Sequence, residues 1–222
     1  GLISSFLGST SKNIRALFDF AKNTPCILFL DEFDAVAKIR DDNHELGELK
    51  RVVNSLLQNI DSLKSDSIIF AATNHDHLLD IAVWRRFGFK IKIDLPDFKT
   101  RKKLINLFLK NICIKDKQLN LLSYMFKDLS GAAIEEICKK TLIDSIINLV
   151  DVDISNISEH YFNFINILSS VDKSKFTDKQ LWEIKAKHLR NIDSKSFSYA
   201  QIARILNKSK SYVSNLLKES IS

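Results

Sequence analysis

The sequence predicts an α/β chain: a parallel sheet with covering helices, then an all-helical segment, then a short helix-turn-helix bundle. Three observations predict it. Ile27-Leu28-Phe29-Leu30 and Ile68-Ile69-Phe70-Ala71-Ala72 are apolar runs without alternation, the pattern of strands buried on both faces of a parallel sheet. A long stretch of 3.6-residue periodicity separates them, as a crossover between parallel strands requires. After Leu95 no strand pattern returns while helical periodicity continues, which puts a boundary near residue 96.

Composition limits the class further. In 222 residues, 45% are hydrophobic and 27% charged, enough for a real core. No apolar run approaches the ~18 residues of a membrane span. Cys26, Cys113 and Cys138 are scattered, odd in number and without metal-ligand spacing, which argues against a disulfide framework and fits a reducing cytoplasm. The chain starts at Gly1, so a targeting signal would lie outside it. The net charge of +6 is uneven. Residues 1–172 carry 22 Lys and Arg against 23 Asp and Glu, whereas residues 173–222 carry 11 against 4. Such a basic end suits nucleic acid.

In chain order, Ser11 is placed to cap a helix over Lys12 to Lys22, with Ile14, Leu17, Phe18 and Ala21 on one face. Pro25 stops it before the first strand. Residues 35–45 read as a helix start entering a surface loop. Leu49, Val52, Val53, Leu56, Leu57 and Ile60 then mark a long helix. The second strand ends in Thr73-Asn74, and a short helix is expected from Asp76 to Arg86. Lys90-Ile91-Lys92-Ile93-Asp94 alternates like a strand near a sheet edge. Helices follow over Arg101–Ile112, Lys117–Phe126, Ser130 to about Leu149, Glu159–Leu168 and Thr177–Arg190. Ser198–Leu206 and Ser211–Glu219, joined by Asn207-Lys208-Ser209-Lys210, make the helix-turn-helix.

The chemistry concentrates where strands end. Asp31-Glu32 follows the first strand directly, and the carboxyl end of a parallel strand is where open α/β sheets place ligands. One acid there suits a hydrated Mg²⁺, and its neighbour suits a water aimed at phosphate. A solvated strand end would also turn polar.

Together these signals resemble an AAA+ ATPase module, closest to the AAA proteins proper. The resemblance rests on the strand ending Asp31-Glu32, the strand ending Ala71-Ala72-Thr73-Asn74, Trp84-Arg85-Arg86-Phe87, Leu95-Pro96-Asp97 and Leu129-Ser130-Gly131-Ala132. It also draws on Ser5-Phe6-Leu7-Gly8-Ser9-Thr10 before Asn13-Ile14-Arg15, and it covers residues 1 to about 168. It implies a partial P-loop NTPase sheet over 1–96, a helical lid over 97–170 and the basic tail over 171–222.

By the same resemblance Asp31 is the Walker B acid that holds Mg²⁺, and Glu32 polarises the attacking water. Asn74 is the sensor 1 amide that positions that water. Arg85 and Arg86 are arginine fingers reaching a neighbouring subunit's ATP, although the family usually separates its two fingers by two residues. Gly131-Ala132 matches the nucleotide-contacting sensor 2 region but lacks its Arg. Phe6 matches the pore-loop aromatic that grips a polypeptide, and a core Phe is the other reading.

The resemblance further implies a homo-oligomeric ring, a hexamer, that uses ATP hydrolysis to remodel or unfold a macromolecule. No Gly-x-x-x-x-Gly-Lys-Ser/Thr occurs in the chain. The expectation is therefore an amino-terminally truncated piece, inactive alone, of a longer ATPase. Two rivals stay open. One is an ATP-switched DNA-binding regulator that reads bases with Ser211, Tyr212, Ser214 and Asn215 and meets phosphates through Lys208, Lys210 and Lys218. The other is a non-catalytic scaffold, with the tail docking a partner protein.

Overall fold

In the computed structural model of the chain, residues 7–34, 46–63, 66–110, 112–166 and 177–218 are described. They fall into two compact units, Gly1–Lys92 and Ile93–Ser222.

The first unit holds helix α1 (Leu7–Asn23), strand β1 (Ile27–Leu30), helix α2 (Leu46–Asp61), strand β2 (Ile68–Ala71) and the single-turn helix α3 (Ile81–Trp84). Helix α1 starts four residues before the expected cap at Ser11. Nothing in Leu7–Thr10 breaks a helix, and Gly8 alone costs only about 1 kcal/mol. The expected helix over 76–86 is broken at Leu79, whose backbone is extended. A 3₁₀ turn, Asp76–Leu78, precedes it, and Asp80 caps α3 by accepting from the Ala82 N–H at 2.7 Å. The break turns both Leu79 and Val83 into the core.

Strands β1 and β2 pair in parallel, Ile27 opposite Ile68 and Leu30 opposite Ala71. Leu28 and Leu30 share a core with Ile14 and Phe18 of α1 and Val52, Leu56 and Ile60 of α2. The other face departs from expectation, since Ile27 is 67% and Phe29 64% exposed. Alternate strand residues point to opposite faces, and among the described residues the helices gather only on the Leu28 and Leu30 side. Residues 90–94 also correct the sequence reading. They form no strand, and Ile91 and Ile93 are 83% and 92% exposed. Alternation supplies a strand's faces, but a strand also needs a pairing neighbour, and the described sheet contains only β1 and β2.

The second unit is all helical: α4 (Phe98–Phe108), α5 (Asp116–Met125), α6 (Gly131–Asn148), α7 (Ile154–Phe164), α8 (Asp178–Ile192), α9 (Tyr199–Ile205) and α10 (Lys210–Lys218). Its helix starts are set locally. Asp97, Ser130, Asp153, Thr177 and Ser198 each accept a backbone N–H from the first turn, a cap worth about 1 kcal/mol. Helix α7 begins at Ile154, five residues earlier than periodicity suggests, because Asp153 and Asn156 close a reciprocal box there.

One core serves all seven helices. It runs from Ile105 and Leu122 through Ile137 and Tyr161 to Leu189, Ile202, Val213 and Leu217. Helices α8 to α10 thus pack on the same interior as α4 to α7. Buried polar groups are matched: Arg101 donates to the carbonyls of Pro96, Ser123 and Lys127, and the Lys185 ammonium pairs with Glu159 at 2.9 Å. No described helix is long and apolar enough to cross a membrane.

Candidate functional site

Parallel pairing brings the carboxyl ends of β1 and β2 side by side. The ladder runs one step past the strands: the Ala72 N–H donates to Leu30 O at 2.8 Å, and the Phe33 N–H donates to Ala72 O at 2.9 Å. Between those bonds the chain turns outward. Glu32 adopts a left-handed backbone with φ of 50°, a conformation that costs a residue with a side chain about 1–3 kcal/mol. The turn is steadied by the Glu32 N–H donating to Asp31 Oδ1 at 2.9 Å. Asp31 and Glu32 are both exposed, while Phe33 returns to the core.

The end of β2 faces this acidic turn with polar groups of its own. Thr73 Oγ1 donates to Asp34 Oδ1 at 2.7 Å and accepts the His75 N–H at 2.9 Å. Asn74 sits between these two anchors with its side chain exposed.

The arginine segment belongs to the same unit, and its two arginines differ. Arg86 grips Asp61 at the end of α2 with two bonds of 3.1 Å and donates to Ala82 O at 2.9 Å. The hydrogen bond to Asp61 pushes its affinity for the proton above the ordinary arginine range. Arg85 is exposed, and its guanidinium meets no partner among the described residues. Phe87, next in sequence, stands edge-on to Phe33 with ring centroids 5.6 Å apart, which ties this segment to the acidic turn. Asp31, Glu32, Asn74, Arg85 and Arg86 therefore share one unit.

The remaining expected residues lie elsewhere. Phe6 is outside the described residues. Gly131 and Ala132 form the first turn of α6 in the second unit, where Ser130 Oγ accepts the Ala133 N–H at 3.2 Å. In α10, Val213, Leu216 and Leu217 are buried, Ser211 and Asn215 are exposed, and Tyr212 and Ser214 are half-buried. Lys210 is exposed. Lys208 sits in the turn before α10 with its ammonium 4.5 Å over the Trp182 ring. Three residues of the site were assigned no role from the sequence: Asp34, Asp61 and Thr73. Thr73 and Asp34 carried a local signal, their places close to Asn74 and Glu32 after strand ends.

Among the described residues no group of three or more His, Cys, Asp or Glu is gathered for a metal. Mg²⁺ needs less: it keeps several waters and binds through one or two carboxylates together with phosphate oxygens. The hard, exposed oxygens of Asp31 and Glu32 fit that donor chemistry.

Residues 1–95 match the family model described as "ATPase family associated with various cellular activities (AAA)". An uncharacterized AAA family ATPase of Sinorhizobium fredii is 44% identical over 147 residues, covering 66% of this chain and 44% of that protein. Proteasome-activating nucleotidases of Saccharolobus solfataricus and Saccharolobus islandicus are 39% and 38% identical over 141 residues, covering 60% of this chain and 36% of each relative. The chain thus spans less than half the length of these relatives. The acidic strand end, the polar end of its parallel neighbour and the arginine pair all fall within residues 1–95, the part of the chain that matches the AAA family model.

Proposed function

We propose that the protein hydrolyses ATP in a homo-oligomeric ring and uses the cycle to remodel or unfold a polypeptide. The observation that carries this reading is the placement of Asp31-Glu32 beside Thr73-Asn74 on adjoining parallel strand ends. Asp31 would hold Mg²⁺, which when bound draws charge from the phosphates. Glu32, turned outward by its left-handed backbone, takes a proton from the attacking water. Asn74 orients that water from the neighbouring loop. The arginine segment neutralises charge on a neighbouring subunit's nucleotide, an effect of about 10³–10⁵ in rate where such arginines are known.

The geometry favours Arg85 for that reach, because Arg86 is spent within its own chain on Asp61 and Ala82. Gly131-Ala132 is the proposed lid contact to nucleotide and Phe6 the proposed grip on substrate. A polypeptide substrate, a hexameric ring and a cytoplasmic place complete this reading. Glu32→Gln in the full-length protein tests the chemistry: ATP binding should persist and turnover should vanish. Wild-type turnover by that variant refutes the assignment.

A second reading has its own support. Helices α9 and α10 are joined by a four-residue turn, and α10 buries one side while keeping Ser211, Asn215 and Lys218 exposed. With the basic excess of residues 173–222, this pair suits a helix-turn-helix that brings DNA under the control of ATP. Titrating duplex DNA at two salt concentrations, with and without Lys210→Ala, separates it from protein docking, since a true phosphate contact makes the salt slope shallower when removed.

A further inference from the structure

The two strand-end loops are joined by a link that none of the proposed catalytic roles uses. The hydroxyl of Thr73 works in both directions, donating to Asp34 at 2.7 Å and accepting the His75 N–H at 2.9 Å. The first bond joins residues 39 apart in sequence, one in each loop. The second closes a turn whose middle residue is Asn74. Thr73 thus fixes the backbone on both sides of Asn74 and fastens that turn to the residue two places after Glu32. The Phe33 N–H to Ala72 O bond joins the same two segments, so two cross-links hold the acidic turn and the Asn74 turn together.

We infer that Thr73 is a positioning residue, which through Asp34 holds Asn74 in register with Asp31 and Glu32. The inference rests on the ATPase reading above and adds a residue that touches neither nucleotide nor water. A donor and an acceptor placed on separate loops fix orientation only while both bonds are made. Neither hydrophobic contact nor the methyl group of Thr73 supplies that. Loss of the hydroxyl leaves Asn74 present but free to rotate out of line, so turnover falls while nucleotide affinity stays.

The test uses the full-length protein with Thr73→Val, which keeps the shape and removes the hydroxyl, and Thr73→Ser, which keeps the hydroxyl. Asp34 makes further contacts, so Thr73→Val is the cleaner cut and Asp34→Asn serves as the partner in a double-mutant cycle. Thr73→Val should lower kcat about 10–100-fold, the usual cost of losing an orienting partner. KM for ATP should stay within about threefold, because binding groups are untouched. Thr73→Ser should turn over near the wild-type rate, and Thr73→Val/Asp34→Asn should be no slower than the worse single variant.

Glu32→Gln runs alongside as the control for the chemistry. If it is inactive while Thr73→Val turns over normally, or if Thr73→Val and Thr73→Ser lose equally, the inference is overturned and the ATPase reading stands. If the wild-type protein shows no ATP turnover, the ATPase reading falls, and if Glu32→Gln turns over normally, the role given to Glu32 falls. The link is then judged by hydrogen exchange at the His75 amide, which Thr73→Val must accelerate. Unchanged exchange there overturns the inference by itself.

Discussion

Arg101 and Arg85 show how differently the two units use the same side chain. Arg101 is buried in the second unit, and its guanidinium is consumed by three backbone carbonyls. Arg85 is exposed in the first unit and meets no partner among the described residues. The contrast extends to the rest of each unit. Polar groups inside the helical unit, such as Lys185 on Glu159 and Tyr161 on His188, are matched and packed, which is the way a core tolerates polarity. The strand ends of the first unit hold exposed carboxylates and a strained backbone at Glu32. Side chains that close on their own chain hold the fold together, while those left open at strand ends are the ones available to a ligand.

The sharpest break of that comparison is Arg85→Ala. In the full-length protein it should cut turnover by about 10³–10⁵ without lowering the melting temperature. Mixing it with Glu32→Gln protein should restore part of the activity through mixed interfaces. Recovery in no mixture, with mixed oligomers demonstrated, would exclude action between subunits.

Arg101→Ala should do the reverse. It leaves buried carbonyls unpaired and removes packed stem, so the second unit should lose about 2–4 kcal/mol in a denaturant titration. ATP turnover per folded molecule should barely change. A loss under about 0.5 kcal/mol would show that water replaces the guanidinium there.

The smallest effect is a pH dependence at His188. Burial lowers its affinity for protons, and its Nε2 lies 2.8 Å from the Tyr161 hydroxyl. A histidine depressed in the folded state binds more protons when unfolded. Its contribution is therefore complete above the unfolded value of about 6.5 and lost as pH falls from there toward the folded value. Melting temperature against pH should bend downward below about 6.5, and His188→Gln should flatten the bend. An unchanged profile in that variant assigns the slope to another group.

Much of this molecule is decided within a few residues, and that part is readable from the sequence. The helices expected from Ser130 and Thr177 begin there, with those residues as caps, because a cap needs only a side-chain oxygen and an N–H two or three positions on. The apolar runs at 27–30 and 68–71 become strands. Asp31, Glu32 and Asn74 are visible as polar residues at the ends of those runs, and the same motifs resemble those of AAA+ ATPases.

Tertiary structure decides the remainder. Ile27 and Phe29 are as apolar as Leu28 and Leu30, and only the position of the helices makes one pair core and the other surface. Lys90 to Asp94 alternates correctly yet forms no strand, since pairing depends on a neighbour that a pattern cannot specify. Arg86 differs from Arg85 through its bond to Asp61, 25 residues away, and Thr73, beside Asn74, bonds to Asp34, 39 residues away. Helices α8 to α10 read as a separate tail, but Leu189, Ile202 and Val213 fill the core of α4 to α7. Periodicity reports how apolar a helix face is. Which surface that face meets depends on how the whole chain closes.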